Sequence, residues 1–100
     1  MPLLRIKGVQ ALPEFRLRLE LSDGSIVERE ISGLLSAGAL AELRREPGQF
    51  AMAAAEAGSV AWPNGADVCP DLLIWGELPP AEPAKPPQFL ALPRPAVQAA

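Results

Sequence analysis

The run from Phe15 to Ile31, FRLRLELSDGSIVEREI, constrains the fold more than any other stretch of the chain. Phe15, Leu17, Leu19 and Leu21 alternate with Arg16, Arg18 and Glu20, a period of two that describes a strand with one apolar face. Asp23-Gly24 marks a hairpin turn, and side-chain chemistry selects the register. A two-residue loop would set Leu19 against Glu28 and Arg18 against Arg29, a carboxylate on the core face and like charges opposed. A three-residue loop, Ser22-Asp23-Gly24, pairs Leu21 with Ser25, Leu19 with Val27, Phe15 with Ile31, Arg18 with Glu28 and Arg16 with Glu30. The pattern selects this second register. It requires Gly24 in the left-handed region, in a type I turn closed by a bulge. It also leaves Arg29 on the apolar face opposite Leu17, so Arg29 is expected to snorkel outward or to meet a carboxylate.

Upstream, Leu4 and Ile6 alternate with Arg5 and Lys7, which predicts another strand, with Gln10-Ala11-Leu12-Pro13 as the first turn. Downstream the period changes. Ser32 is expected to cap a short turn through Gly33-Leu34-Leu35, with Gly38 as a break. Residues 39–45 form a helix carrying Leu40 and Leu43 on one side, basic residues in the last turn and Pro47-Gly48 as the stop. Phe50 points into the core. Ala51-Met52-Ala53-Ala54-Ala55-Glu56 has helix propensity but is short and bounded by turn signals, so local reasoning leaves helix and strand open. Val60-Ala61-Trp62 is a short strand.

The segment Trp62-Pro63-Asn64-Gly65-Ala66-Asp67-Val68-Cys69-Pro70-Asp71 gathers a tryptophan, two carboxylates and the single cysteine. Read residue by residue it is a corner. Pro63-Asn64-Gly65 suits a type I turn, and Pro70 with Asp71 opens a helix that Gly76 closes. Asp67 is placed to accept hydrogen bonds from the free amides at that helix start. Beyond Gly76 the composition breaks. Seven prolines, at 79, 80, 83, 86, 87, 93 and 95, crowd residues 77–100. The domain is therefore expected at 1–76 and an extended Pro/Ala-rich tail at 77–100. Phe89, Leu90 and Leu92 form the tail's one apolar patch. They are candidates for docking in a groove, although an extension largely outside the core is the preferred reading.

Composition narrows the chemistry. With no histidine, Ser-His-Asp and Cys-His catalysis are excluded within the chain, and His-based zinc sites with them. Cys69 beside Asp67 and Asp71, with Lys7 or Arg29 as a basic neighbour, is the best enzymatic constellation. Two nearby carboxylates oppose thiolate formation, so a small buried structural thiol is the default. Asp67 and Asp71 are too sparse a set for calcium, and no metal or cofactor is expected. A net charge of −3 argues against direct nucleic-acid binding. The mixed-sign charges of the strands read as a solvated face. No run of apolar residues predicts a signal peptide or membrane span, and one cysteine fits a cytoplasmic protein.

Several of these pieces occur together in a known family. They are Leu4-Arg5-Ile6-Lys7-Gly8-Val9, Phe15-Arg16-Leu17-Arg18-Leu19, Asp23-Gly24, Ile31-Ser32-Gly33-Leu34-Leu35 and, most specifically, Trp62-Pro63-Asn64-Gly65-Ala66-Asp67. Over residues 3–76 the chain resembles the bacterial domain-of-unknown-function 2442 family. The resemblance implies a small α+β domain in β-β-β-α-β-β-α order. Its antiparallel sheet has about five strands, and 51–56 becomes one of them. Members stand alone or are fused to a helix-turn-helix domain, and some resemble partners in toxin–antitoxin-like pairs. The family carries no established catalytic set.

The expected function is thus a small non-enzymatic interaction or regulatory module whose partner is another small protein or a second copy. Trp62, Asn64, Asp67 and Asp71 are its candidate binding residues. The alternatives are a nucleic-acid-associated regulator acting through a partner, or an enzyme using Cys69 and Asp67.

Overall fold

In the computed structural model, which describes residues 4–82 and 84–92, the central hairpin adopts the three-residue register. β2 (Arg16–Leu21) and β3 (Ile26–Glu30) pair antiparallel, with Arg16 opposite Glu30, Leu17 opposite Arg29, Arg18 opposite Glu28 and Leu19 opposite Val27. At the turn, Gly24 N–H donates to Leu21 O and Leu21 N–H to Ser25 O, each at 2.9 Å, with Gly24 at φ 89°. The Ser25 hydroxyl and then its amide donate to Asp23 Oδ1, and both hold the Asp23 carboxyl below its ordinary value. The charged pairs are diagonal rather than directly opposed. Arg16 meets Glu28 at 2.9 Å, while Arg18 reaches Gln10 Oε1 at 3.4 Å on β1 (Ile6–Leu12).

β1 pairs antiparallel with β2 and runs further than its sequence suggests. Ala11 and Leu12 sit opposite Leu17 and Arg16, so the first turn falls at 13–15 rather than at 10–13. Glu14 and Phe15 both have positive φ, 65° and 57°. Such backbone is costly for residues with a Cβ and needs support from the surroundings. Phe15 has that support. Its ring meets Phe50 edge-on at 5.3 Å, the Arg44 guanidinium lies 5.6 Å from its centroid, and its carbonyl accepts from Ile31 N–H at 2.9 Å.

A 3-10 turn at Ser32–Leu34 follows β3. Ser32 does not cap it. Ile31 holds the cap position, and the Ser32 N–H is itself bonded by Glu30 Oε1 at 2.8 Å. α1 (Gly38–Arg45) buries Leu43 and half-buries Leu40. Pro47 does not end the helical region but opens a second single-turn helix, α2 (Pro47–Phe50), because proline suits the first helical position. Phe50 enters the core from it. Of residues 51–56 only the last three form a strand. β4 (Ala54–Glu56) pairs with β5 (Ser59–Ala61), so tertiary pairing overrides alanine's helix preference.

β5 also pairs with β6 (Asp67–Val68), which precedes α3 (Pro70–Trp75). The class is α+β as expected, but the expected β-β-β-α-β-β-α order is corrected: α2 follows α1, β6 precedes α3 and a further strand follows it. The seven strands among the described residues divide between two sheets rather than forming one antiparallel sheet of about five. β4-β5-β6 is the smaller. It abuts the larger at β1, where Ile6 N–H donates to Gly58 O at 3.1 Å. The shared core takes Leu17, Leu19, Leu21 and Val27 from the large sheet, Val60 and Val68 from the small one, Ile31 and Trp62 from just beyond β3 and β5, and Leu43, Phe50, Leu73 and Ile74 from the helices.

The larger sheet has a strand from the tail. β7 (Phe89–Ala91) lies parallel to β3, with Leu90 opposite Arg29, giving the order β1-β2-β3-β7. Leu92 is buried in the core and Leu90 packs against it. The expectation that the tail lies largely outside the core is therefore corrected for residues 87–92. The pattern Leu90-Ala91-Leu92 puts two apolar side chains on one strand face, and β3 supplies the edge. No helix among the described residues is long and apolar enough to cross a membrane.

The exposed Glu14 sits in left-handed backbone with nothing specific to gain from its side chain. Glu14→Gly is expected to stabilise the fold by about 0.5–1 kcal/mol. The check is the urea midpoint at unchanged slope; a lower midpoint would mean that the Glu14 side chain does something unseen.

Candidate functional site

The corner at 62–71 is built as architecture. Gly65 N–H donates to Trp62 O at 3.0 Å and Trp62 N–H to Ala66 O at 2.9 Å, while Asn64 Oδ1 accepts from Ala66 N–H at 3.0 Å and Gly65 sits at φ 92°. This is the same device as the 22–24 turn: an Asx side chain bonded two residues on, followed by a left-handed glycine. Trp62 is buried. Its ring lies 6.1 Å from that of Phe50, and Nε1 donates to Phe50 O at 3.0 Å. Asn64 Nδ2 donates to Ala39 O at 3.0 Å, pinning the turn to α1.

The carboxylates do not join this network. Asp67 is exposed on β6 opposite Ala61 and makes no cap bond to α3, whose cap position is Cys69. The expected capping role of Asp67 is thereby corrected: Asp67 belongs to β6, and α3 receives no side-chain cap bond. Asp71 is half-buried in the first turn of α3. Cys69 is exposed rather than the buried thiol expected. Among the described residues no three His, Cys, Asp or Glu side chains are grouped to hold a metal ion. Trp62 and Asn64 therefore serve the corner, while Asp67 and Asp71 stand outside its hydrogen-bond network.

Two other places concentrate chemistry. The first is Arg29. It neither snorkels nor meets a carboxylate. It is fully buried and donates to five backbone carbonyls. Nε bonds Leu73 O and Nη2 bonds Ile74 O at 2.8 Å, two carbonyls of the last turn of α3. Nη2 also reaches Pro87 O at 2.8 Å, and Nη1 reaches Glu28 O at 2.7 Å and Gln88 O at 3.4 Å. The guanidinium thus fills the negative, unpaired end of one helix and the carbonyls of the tail together. Burial pulls it down to about 10, which leaves it charged at neutral pH. Its place on the apolar face was visible in the hairpin register. Its partners were not, although a helix ending at Gly76 has orphan carbonyls for which an inward arginine is the natural donor.

The second place is the outer face of the large sheet. Phe89 is 67% exposed and Ile26 49%, on the same face as Glu28 and Glu30. Glu28, Glu30, Phe89, Leu90 and Ala91 line a shallow depression of about 280 Å³. Of the tail candidates, Leu90 and Leu92 are inward anchors, and Phe89 alone faces solvent. Ile26 was missed as a surface feature. Its signal was its register position opposite Glu20, on the charged face.

If the corner is architecture, its residues separate by stability. Asn64→Ala should cost about 1–2 kcal/mol through the lost bonds to Ala39 O and Ala66 N–H, whereas Asp67→Ala should stay within about 0.5 kcal/mol. Chemical denaturation of both variants checks this, and a reversed order would contradict it.

No curated protein and no solved structure matches the chain. A family model described as "Protein of unknown function (DUF2442)" matches residues 6–78. That span holds both sheets' antiparallel strands, all three helices and Arg29, and it stops short of β7. The chain belongs to the DUF2442 family of proteins of unknown function.

Proposed function

We propose that the chain is a small non-enzymatic protein-interaction module that docks another small protein on the outer face of its large sheet. The observation that carries this reading is the exposure of Phe89, flanked by half-exposed Ile26 and rimmed by Glu28 and Glu30. Aromatic side chains held out on a sheet face are the usual anchors of an interface, and exposed apolar surface rimmed by charge marks docking sites. The carboxylate rim favours a partner that offers an apolar side chain flanked by lysine or arginine. A regulatory pairing of toxin–antitoxin type in the cytoplasm, without direct contact to nucleic acid, is the form this takes in our reading. The acidic net charge and the lone thiol support it.

Co-expression with the product of the neighbouring gene tests the proposal. A stoichiometric complex is expected, with Phe89→Asp weakening it at least about tenfold, the effect of losing one interface anchor. Phe89 is exposed, so folding should survive the change. A complex indifferent to Phe89→Asp and Ile26→Asp together would sink the proposed surface. The absence of any complex would sink the interaction reading with that partner.

A further inference from the structure

We propose that residues 87–92 exchange between two copies of the chain, the tail strand of each lying along β3 of the other in the register seen here. This goes beyond the reading above, which concerns the outer face of the sheet, and can fail without it.

The contacts of the tail strand are local to one groove. Gln88 O accepts from Glu28 N–H at 2.8 Å, and Leu92 N–H donates to Glu30 O at 2.8 Å. Pro87 O and Gln88 O accept from Arg29, and Leu92 enters the core. All of these bonds run to residues 28–30. A second copy can supply the same segment and reproduce every one, which is why strand exchange is a low-cost route to a dimer. Recognition is largely through backbone carbonyls and one inward leucine, as in strand addition to an open sheet edge.

The connection to the rest of the chain favours the exchange. Arg29 Nη2 donates at 2.8 Å to both Ile74 O and Pro87 O, so the last turn of α3 and the start of the tail strand meet on one nitrogen atom, with the connecting segment 77–86 between them. That segment carries Pro79, Pro80, Pro83 and Pro86. A proline-rich stretch of this length prefers to extend, at about 3.1 Å per residue or roughly 31 Å in all. Bringing its ends together works against that preference, and crossing to a second copy releases it. Arg29, β3 and α3 lie within the family match at 6–78, while residues 87–92 lie outside it.

The test uses the full chain with Glu30→Cys and Ala91→Cys, neighbours across the β3–β7 register, in a Cys69→Ser background. Neighbouring strand positions bring the two Cβ atoms within reach of a disulfide. Oxidation after equilibration at about 10 µM and at about 1 mM, a range that reaches the effective concentration of a short linker, should give a covalent dimer whose share rises at least fivefold. Covalent monomer alone at both concentrations would overturn the proposal. Should neither product form, sedimentation equilibrium of the unsubstituted chain at the higher concentration decides. Monomer there overturns the proposal, and a dimer that persists in Leu90→Asp/Leu92→Asp also overturns it. A dimer abolished by that pair supports it, provided circular dichroism shows the variant folded. If the variant is unfolded, a dimer abolished by the single change Leu90→Ser in a folded chain gives the same support, and one retained overturns it.

Discussion

A guanidinium with five carbonyl partners and no carboxylate holds the described structure together. Removing a charge from water costs several kcal/mol unless its donors are fully used. Arg29 uses Nε and both terminal nitrogens on oxygens that would otherwise be short of donors. Two are in the last turn of α3, where the helix cannot satisfy them, and two belong to the tail. A lysine has neither the planar fork nor the number of donors for this arrangement. One side chain thereby couples β3, the end of α3 and β7, three elements far apart in sequence.

Two turns show how local chemistry settles geometry without help from the rest of the fold. Ser22-Asp23-Gly24 and Pro63-Asn64-Gly65 are each a three-residue loop in which an Asx oxygen binds the amide two residues on and a left-handed glycine completes the reversal. One sets the hairpin register of the large sheet. The other sets the corner that brings Trp62 beneath Phe50 and ties Asn64 to α1. The concentration of unusual residue types at 62–71 reflects the demands of that corner.

The same locality explains what could be read from residues alone. The β2–β3 register was legible because period-two alternation and charge pairing over many positions point one way, and a slip would invert every side chain. The family, and with it the α+β class, was legible in the corner motif, whereas α2, β6 and β7 were not part of the expected order. Other features were not. The first turn shifted to 13–15 because Phe15 leaves its alternating strand to pack on Phe50, a contact invisible in the local pattern. Residues 51–53 and 54–56 divide between turn and strand because β5 offers an edge to the second half only. The tail strand is three residues long in a proline-rich setting, and its stability comes from a side chain about sixty positions earlier. At the candidate site, Phe89 was picked out as apolar, but its separation from inward Leu90 and Leu92 needed the β3–β7 register.

Whether the Arg29 guanidinium is a buried hub bonded to backbone carbonyls is read from hydrogen exchange at its Nε–H, followed by nitrogen-15 NMR at neutral pH. The Arg29 Nε–H is expected to give a resolved resonance whose exchange is slowed by orders of magnitude relative to the exposed arginines, to the level of core amides that open only with sub-global unfolding. An Arg29 Nε–H that exchanges as fast as those of Arg18 and Arg45 would contradict it, because a guanidinium open to water cannot be joining α3 and the tail to β3.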